Sequence, residues 1–376
     1  MSDHTPSQHA AMERSLALEQ QVIEQPESFR VLTGDRPTGP LHIGHYFGTL
    51  ANRVRLQELG IEVIVVVADY QALTDRDASE QLPDTVRGIV ADYLAVGIDP
   101  ARSMIFTHSA VPQLNELVLP FLSLVTDAEL HRNPTVKAET EVTGRGPSGL
   151  MLTYPVHQAA DILFCGANLI PVGLDQLPHV EVTRLIARRF NERYAQLFVE
   201  PDALLTNTPL LLGVDGQKMG KTRGNGIALR ATDDETAAII RRAPTDSQRH
   251  ITYEPERRAQ VANLLDLLAA TTGEDPRIVA ERIGARGASQ LKRDLTDAVN
   301  AMLRPVRDRR SAIAANPAYL DLVLAEGNAR ARDIAANTLA RVHDALGMTY
   351  ASRNHTDLLM PVGGRMVGAA GARFTS

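Results

Sequence analysis

Apolar and polar positions change rhythm along this chain, and the changes mark its elements. Residues 1–28 are polar, with a helix expected over Ala10–Ile23 that reads as an extension outside the core. A short apolar run, Phe29–Leu32, closed by Thr33 and Gly34, predicts a strand. Gly, Pro and Thr then dominate through Pro40, so a loop follows. From Ile43 to Leu59 apolar residues fall at helical spacing, and Gly60 ends that helix. Ile61–Ala68 is apolar and β-branched almost throughout, the pattern of a parallel strand covered on both faces. Pro83–Val96 predicts a helix with Pro in its first turn and Gly97 as its stop. Ser103–Thr107 predicts a further strand. After a mostly helical stretch over 110–195, Asn168–Val172, broken by Gly173, predicts the return to the sheet. Strands alternating with helices in this way build an α/β fold with a doubly wound parallel sheet.

Beyond about Thr232 no strand is expected. Asp233–Arg242, Glu256–Ala270, Leu291–Asn316 and Leu320–Leu346 carry helical periodicity instead, which predicts a helical bundle. Four parts result: an N-terminal extension over 1–28, a sheet domain with a helical insertion over 29–231, a C-terminal helical domain over 232–348, and a tail over 349–376. The tail is rich in Gly and Ala and is expected to be mobile.

Composition narrows the class. The chain has 376 residues, 44% hydrophobic content and a formal net charge of −6. It holds no run of about 18 apolar residues and no secretory leader pattern at its start. Its one cysteine, Cys165, excludes an internal disulfide framework. A cytoplasmic location is the default expectation. The mild acidity argues against a basic coat for nucleic acid, though not against a local basic face.

Three stretches carry candidate chemistry. The first is Thr33-Gly34-Asp35-Arg36-Pro37-Thr38-Gly39-Pro40-Leu41-His42-Ile43-Gly44-His45, between the first strand and first helix. Ligands of open α/β sheets bind at the carboxyl ends of strands, and a helix start there offers N–H groups to phosphate. His42 and His45 stand three residues apart and can face one ligand. Imidazoles donate hydrogen bonds to phosphate oxygens without a fixed charge. No thiol stands nearby and Asp35 is the one close carboxylate, so no metal site is assigned. The second stretch is Asp215-Gly216-Gln217-Lys218-Met219-Gly220-Lys221-Thr222-Arg223-Gly224-Asn225. Two lysines in a glycine-containing loop can close on a triphosphate and stabilise charge on departing pyrophosphate. The third is Met151–Leu163 with Ile170–His179. Tyr154, Gln158 and Asp161 share one helix face there. Asp161 can accept an indole N–H, Tyr154, Gln158 and Gln176 can orient the amino-acid ends, and Ile170 and Val172 supply apolar walls.

His42-Ile43-Gly44-His45 matches the HIGH signature of class I aminoacyl-tRNA synthetases, and the lysine loop resembles their KMSKS loop. Gly220 and Thr222 replace its two serines. The third stretch is similar to tryptophanyl-tRNA synthetases, over roughly residues 29–347. The intact histidine pair, Gln158 and Gln71 make it resemble a divergent second bacterial type. The resemblance implies a Rossmann-type catalytic fold and an anticodon-binding helical domain. It also implies a homodimer bridged by tRNA, and L-tryptophan, tryptophan tRNA, ATP and Mg²⁺ as substrates and cofactor. His42, His45, Lys218 and Lys221 would be catalytic. Arg36, Pro37, Thr38, Gly44, His45, Lys137, Gly173, Leu174, Lys218, Met219, Gly220, Lys221 and Thr222 would touch ATP, Asp175 its ribose and Leu210 its adenine. Asp161 would read the indole nitrogen. Arg304, Arg307, Arg309 and Arg310 form a candidate phosphate-facing set. Tyrosyl-tRNA synthetases of one branch share the Tyr-Pro, Gln and Asp spacing, so tyrosine stays open as the amino acid. A small-molecule adenylyl transferase would leave the helical half unexplained. A binding or regulatory paralogue without tRNA charging is the third alternative.

Overall fold

In Glu62–Val67 five residues in a row are buried, because this strand lies in mid-sheet with helices on both faces. The computed structural model describes residues 6–74, 81–134, 136–137, 147–205, 211–220 and 223–350, without the side chains of residues 6–9, 74 and 175. Leu210, Lys221, Thr222 and the tail from residue 351 on lie outside the described residues.

Among the described residues five parallel strands form one sheet: β1 (Arg30–Asp35), β2 (Glu62–Val67), β3 (Met104–Thr107), β4 (Leu169–Val172) and β5 (Asp202–Leu205). Their order is β3-β2-β1-β4-β5, so the direction of winding reverses between β1 and β4. The crevice outside the carboxyl ends of these two strands is where such sheets bind ligands. β5 had no counterpart in the sequence pattern. It is four residues long and half of it is only partly buried, so it lacks the long apolar run that reveals β2.

In the sheet half the helices are α1 (Pro6–Glu24), α2 (Ile43–His45), α3 (Ala51–Glu58), α4 (Leu82–Val96), α5 (Gln113–Leu122), α6 (Asp127–His131), α7 (Gly149–Leu163) and α8 (Leu177–Arg193). The helix expected over Ile43–Leu59 is interrupted: α2 passes through a π-helical turn, Tyr46–Leu50, into α3. The second half adds α9 (Asp233–Arg241), α10 (Ala259–Thr272), α11 (Pro276–Ile283), α12 (Ala288–Ala314) and α13 (Pro317–Ala345). α11, capped by the Asp275 side chain on the Arg277 N–H, was absent from the sequence pattern.

Both sheet edges are covered. α1 does not lie outside the core as expected: it packs on β5, where the Ser15 hydroxyl accepts the Leu205 N–H at 2.8 Å, and its Ala11 and Val22 are buried. At the other edge α13 returns from the helical half to β3. Asn328 Oδ1 accepts the Thr107 N–H at 2.9 Å. Gly327 lets the helix backbone touch the strand, since a Cβ there would fall 1.8 Å from the Ile105 carbonyl oxygen. Covered edges cannot recruit further strands. One continuous core joins β1 and β2 with α4, α10 and α12 across the boundary expected near residue 232.

Three of the four arginines on α12 are tied to other elements of the chain. Arg307 binds Asp233 and the Thr236 hydroxyl, Arg309 donates to the Ala95 carbonyl at 2.7 Å, and Arg310 pairs with buried Asp92. These three fasten α12 to α9 and α4, and are not a phosphate-facing set. Arg304 and Arg309 are exposed, and Arg307 and Arg310 are half-buried.

At the end of β1 sits a buried charge cluster. Asp35 Oδ2 accepts from Arg53 Nη1 of α3 at 2.7 Å and from the Tyr93 hydroxyl of α4 at 2.7 Å. Arg53 is 1% exposed and lies over the Tyr93 ring, 5.6 Å from its centroid. Burial works against the Asp35 charge, but Arg53, His45 and the two hydrogen bonds prevail and lower its pKa from 3.8 to about 2.

Two outcomes follow from this packing. Gly327→Ala should destabilise the protein by about 3 kcal/mol or more, at or above the usual overpacking range, because the added carbon meets backbone. Urea unfolding checks it, and a loss under about 1 kcal/mol would contradict the contact. A folded-state pKa below the unfolded one gives Asp35 a stabilising share that is complete above the unfolded value. That share disappears as pH falls toward the folded value. The stability gap between wild type and Asp35→Asn should therefore shrink by about 2 kcal/mol from about pH 5 to pH 2. A constant gap across that range would refute the linkage.

Candidate active site

The loop leaving β1 carries Arg36, exposed, Pro37, buried, and Thr38, whose N–H donates to the Arg36 carbonyl at 2.9 Å. Gly39 takes φ 140°, a left-handed conformation that glycine adopts without strain. Asp92 of α4 holds the next turn: its Oδ2 accepts the Leu41 N–H at 3.4 Å while its Oδ1 meets Arg310. His42 then caps α2. Its N–H donates to His45 Nδ1 at 3.1 Å, and the two ring centroids are 3.8 Å apart. An accepting Nδ1 bears no proton, so neutral His45 carries its proton on Nε2 as a donor.

The lysine loop is tied to these histidines by backbone. Ile43 N–H donates to the Ile227 carbonyl and Leu229 N–H to the Leu41 carbonyl, both at 2.9 Å. A Cβ on Gly226 would stand 3.3 Å from His42 Cγ, and one on Gly44 would stand 2.8 Å from Met219 Sδ. Lys218 is exposed on this loop and Gly220 half-buried. Sequence reading ended the motif at Asn225 without giving it a role. Asn225 is 4% exposed and binds the loop from inside. Its Nδ2 donates to Asp215 Oδ1 at 2.9 Å and to the Lys218 carbonyl at 3.2 Å, and its Oδ1 accepts the Gly220 N–H at 3.0 Å. From α10, Asn263 donates to the Gly213 carbonyl at 2.7 Å and fixes the loop's base.

The third stretch forms α7, β4 and the start of α8. Asp161 is 2% exposed. Its Oδ2 lies 2.8 Å from His108 Nε2, and its Oδ1 is buried with no hydrogen-bond partner among the described residues. Gln158 is half-buried one turn earlier. The Tyr154 hydroxyl lies 2.8 Å from His179 Nε2. Ile170 and Val172 are buried on β4. Gly173, Leu174 and Gln176 turn back from the strand, with the Gln176 N–H donating to the Gly173 carbonyl at 3.0 Å. Lys137 is exposed, its N–H donating to the Asn133 carbonyl at 3.1 Å.

His108, His157, Asp69 and Tyr70 were missed by sequence reading. Each follows or faces the carboxyl end of β2 or β3, so the strand-end rule applied to the first stretch pointed to them also. Ser109 donates both its N–H, at 3.0 Å, and its hydroxyl to Asp69, which joins the two strand ends. The His108 and His157 rings meet edge to face, 4.5 Å between centroids. Burial lowers the His157 pKa against the opposing pull of Asp161, which favours the neutral ring. His108, His157 and Asp161 place one ligand atom each within 4.8 Å of one another, a spacing a metal ion could accept. Cys165 plays no nucleophilic part: burial pushes its thiol up to about 12.

Comparison with known proteins agrees with this arrangement. The family model for class I tRNA synthetases (W and Y) matches residues 24–304. The tryptophan–tRNA ligase of Treponema pallidum is 43% identical over 329 residues, covering 85% of this chain and 97% of that protein. That of Streptococcus pyogenes serotype M1 is 42% identical over 336 residues, covering 85% and 98%. The crystal structure of tryptophanyl-tRNA synthetase from Campylobacter jejuni, complexed with ADP and tryptophane, superposes with a TM-score of 0.74. It is 30% identical and covers 85% of this chain and 99% of that one. The chain belongs to the class I tRNA synthetases of the tryptophan and tyrosine branch, and within it to the tryptophanyl-tRNA synthetases.

Proposed function

We propose that the chain activates L-tryptophan with ATP, giving tryptophanyl-adenylate and pyrophosphate, and transfers the acyl group to tryptophan tRNA. One observation carries the choice of amino acid. A buried carboxylate oxygen, Asp161 Oδ1, has no protein donor among the described residues and lies on the helix flanking apolar β4. Such an atom is costly to bury unless a ligand supplies the hydrogen, and an indole N–H on a flat apolar ring supplies one. The names of the relatives point the same way.

In this reading the amino-acid carboxylate attacks the α-phosphate, and the protein contributes position and charge. His45 Nε2–H and His42 donate toward the phosphates. Lys218 and Lys221 neutralise charge on the leaving pyrophosphate. Arg36, Pro37, Thr38, Gly44, Lys137, Gly173, Leu174, Met219, Gly220 and Thr222 surround the nucleotide, with Asp175 on the ribose and Leu210 on the adenine. Gly44 supports this, being where Met219 of the lysine loop comes down on the histidine helix. Tyr154, Gln158 and Gln176 orient the amino and carboxylate groups. Mg²⁺ would bind through phosphate oxygens and water, supplying charge neutralisation. Asp35, the carboxylate nearest the histidines in sequence, is already engaged by Arg53 and Tyr93. Residues 232–348 would meet the anticodon arm, and a homodimer would bridge one tRNA between subunits. The cytoplasm is the proposed location, and no described helix is long and apolar enough to cross a membrane.

Amino-acid-dependent ATP–pyrophosphate exchange tests the assignment. Tryptophan should support exchange and tyrosine little. Asp161→Ala should lower kcat/KM for tryptophan about tenfold to over a hundredfold, the loss of one hydrogen bond to a charged acceptor. Efficient exchange with tyrosine in place of tryptophan would overturn the amino-acid assignment alone. The histidine role has its own test. His45→Ala should slow single-turnover adenylate formation about a hundredfold or more while changing the ATP dissociation constant much less. An unchanged single-turnover rate would remove His45 from the mechanism.

A further inference from the structure

Among the described residues, Asp161 is held on one side only. Its Oδ2 meets His108 Nε2 at 2.8 Å, and both side chains are almost wholly buried, 0% and 3% exposed. An ionised carboxylate only accepts, so His108 Nε2 carries the proton and donates. That bond fixes the rotation of the carboxylate about its own axis and leaves Oδ1 as the open acceptor. His108 stands immediately after β3, so its backbone is set by the sheet and not by the helix that carries Asp161. The ring is held from two sides. Tyr70 stacks on it at 23° with centroids 6.3 Å apart, and His157 meets it edge to face at 4.5 Å. His157 has no hydrogen-bond partner on either ring nitrogen among the described residues, so its ring does not engage the second Asp161 oxygen.

We propose that His108 is a positioning residue for substrate specificity: it orients Asp161 so that one carboxylate oxygen faces the ring N–H of the amino-acid substrate. This rests on the reading of Asp161 as the indole acceptor. His108 does not touch the reacting atoms. It acts through Asp161 on recognition of a single N–H, so its removal should matter only for substrates that have that group.

The experiment compares two substrates on each variant: tryptophan, and β-(3-benzothienyl)alanine, whose ring sulfur replaces the N–H in a bicycle of nearly the same shape. Pyrophosphate exchange is measured for full-length wild type, His108→Leu, His108→Gln and Asp161→Ala. In His108→Leu the KM for tryptophan should rise about tenfold or more with kcat within about twofold, while the KM for the benzothienyl substrate changes little. His108→Gln keeps an N–H donor at similar reach and should recover most of the preference for tryptophan. The ratio of the two substrates on one preparation is independent of the fraction folded. If leucine prevents folding altogether, His108→Met is read by the same ratio. Equal loss on both substrates would overturn the proposal, because a residue that merely fills space harms both. If Asp161→Ala is also indifferent to the ring N–H, the underlying reading of Asp161 fails. If Asp161→Ala is selective while His108→Leu is not, the positioning role alone fails. Stoichiometric zinc in the purified protein, lost in His157→Leu, would also overturn it, since a metal on these three side chains would occupy the acceptor.

Discussion

The ion pair between Asp35 and Arg53 is the constraint on which the histidine-bearing side of the structure depends. β1 is the central strand where the sheet reverses its order, and Asp35 is its last residue. A carboxylate turned into the protein at that point must be neutralised, and Arg53 and Tyr93 do so from two helices at once. The strand end, α3 and α4 are thereby locked together just before the loop that bears His42 and His45. Asp92, one residue before Tyr93 on α4, repeats the device: it holds the Leu41 N–H and is itself held by Arg310 from α12. Two adjacent residues of one helix thus fix both ends of the loop between β1 and α2, and Arg310 braces one of them from the helical half.

The same economy joins the two lysine- and histidine-bearing motifs, which are about 175 residues apart in sequence. Backbone pairing of Leu41–Ile43 with 227–229 sets their distance, and the glycines at 44, 213 and 226 leave room for the contacts that follow. Asn225 then gives the lysine loop its shape through three side-chain hydrogen bonds. A flexible lysine side chain on a loop whose base is fixed in this way can close on a phosphate without reorganising the loop itself.

Much of this was legible in the chain. β1 to β4 and the long helices announce themselves by apolar runs, helical spacing and glycine stops. The histidine and lysine motifs could be placed because each sits where strand gives way to helix. What escaped reading was short or relational. β5 is too short and too exposed to show a period, and α11 is eight residues long. α1 was expected outside the core because residues 1–28 are polar, yet Ala11 and Val22 are buried and Ser15 ties the helix to an edge strand. The arginines of α12 looked like a basic face because sequence shows charge but not direction. Three of them meet partners far along the chain. His108 was passed over because a lone histidine after a strand carries no motif, and its meaning lies in Asp161, 53 residues on.

Four aspartates turned toward the interior show how structure separates scaffold from site. Asp35 receives a guanidinium and a phenol, Asp69 a backbone N–H and a hydroxyl from one serine, and Asp92 a guanidinium and a backbone N–H. Each has strong donors from elements it joins, which is what a carboxylate used for fastening requires. Among the described residues Asp161 has one imidazole N–H on one oxygen and no donor on the other, though it is as deeply buried as Asp92. Burying an unmatched acceptor is unfavourable in the free protein, and the cost is recovered only when a ligand donor arrives. A substrate lacking that donor leaves the cost in place, whereas a slightly different apolar shape loses only a little contact. Discrimination by the unmatched atom is therefore larger than discrimination by fit. In the proposed reading, the residue that selects the amino acid is the one of these four aspartates whose second oxygen the described residues leave unmatched.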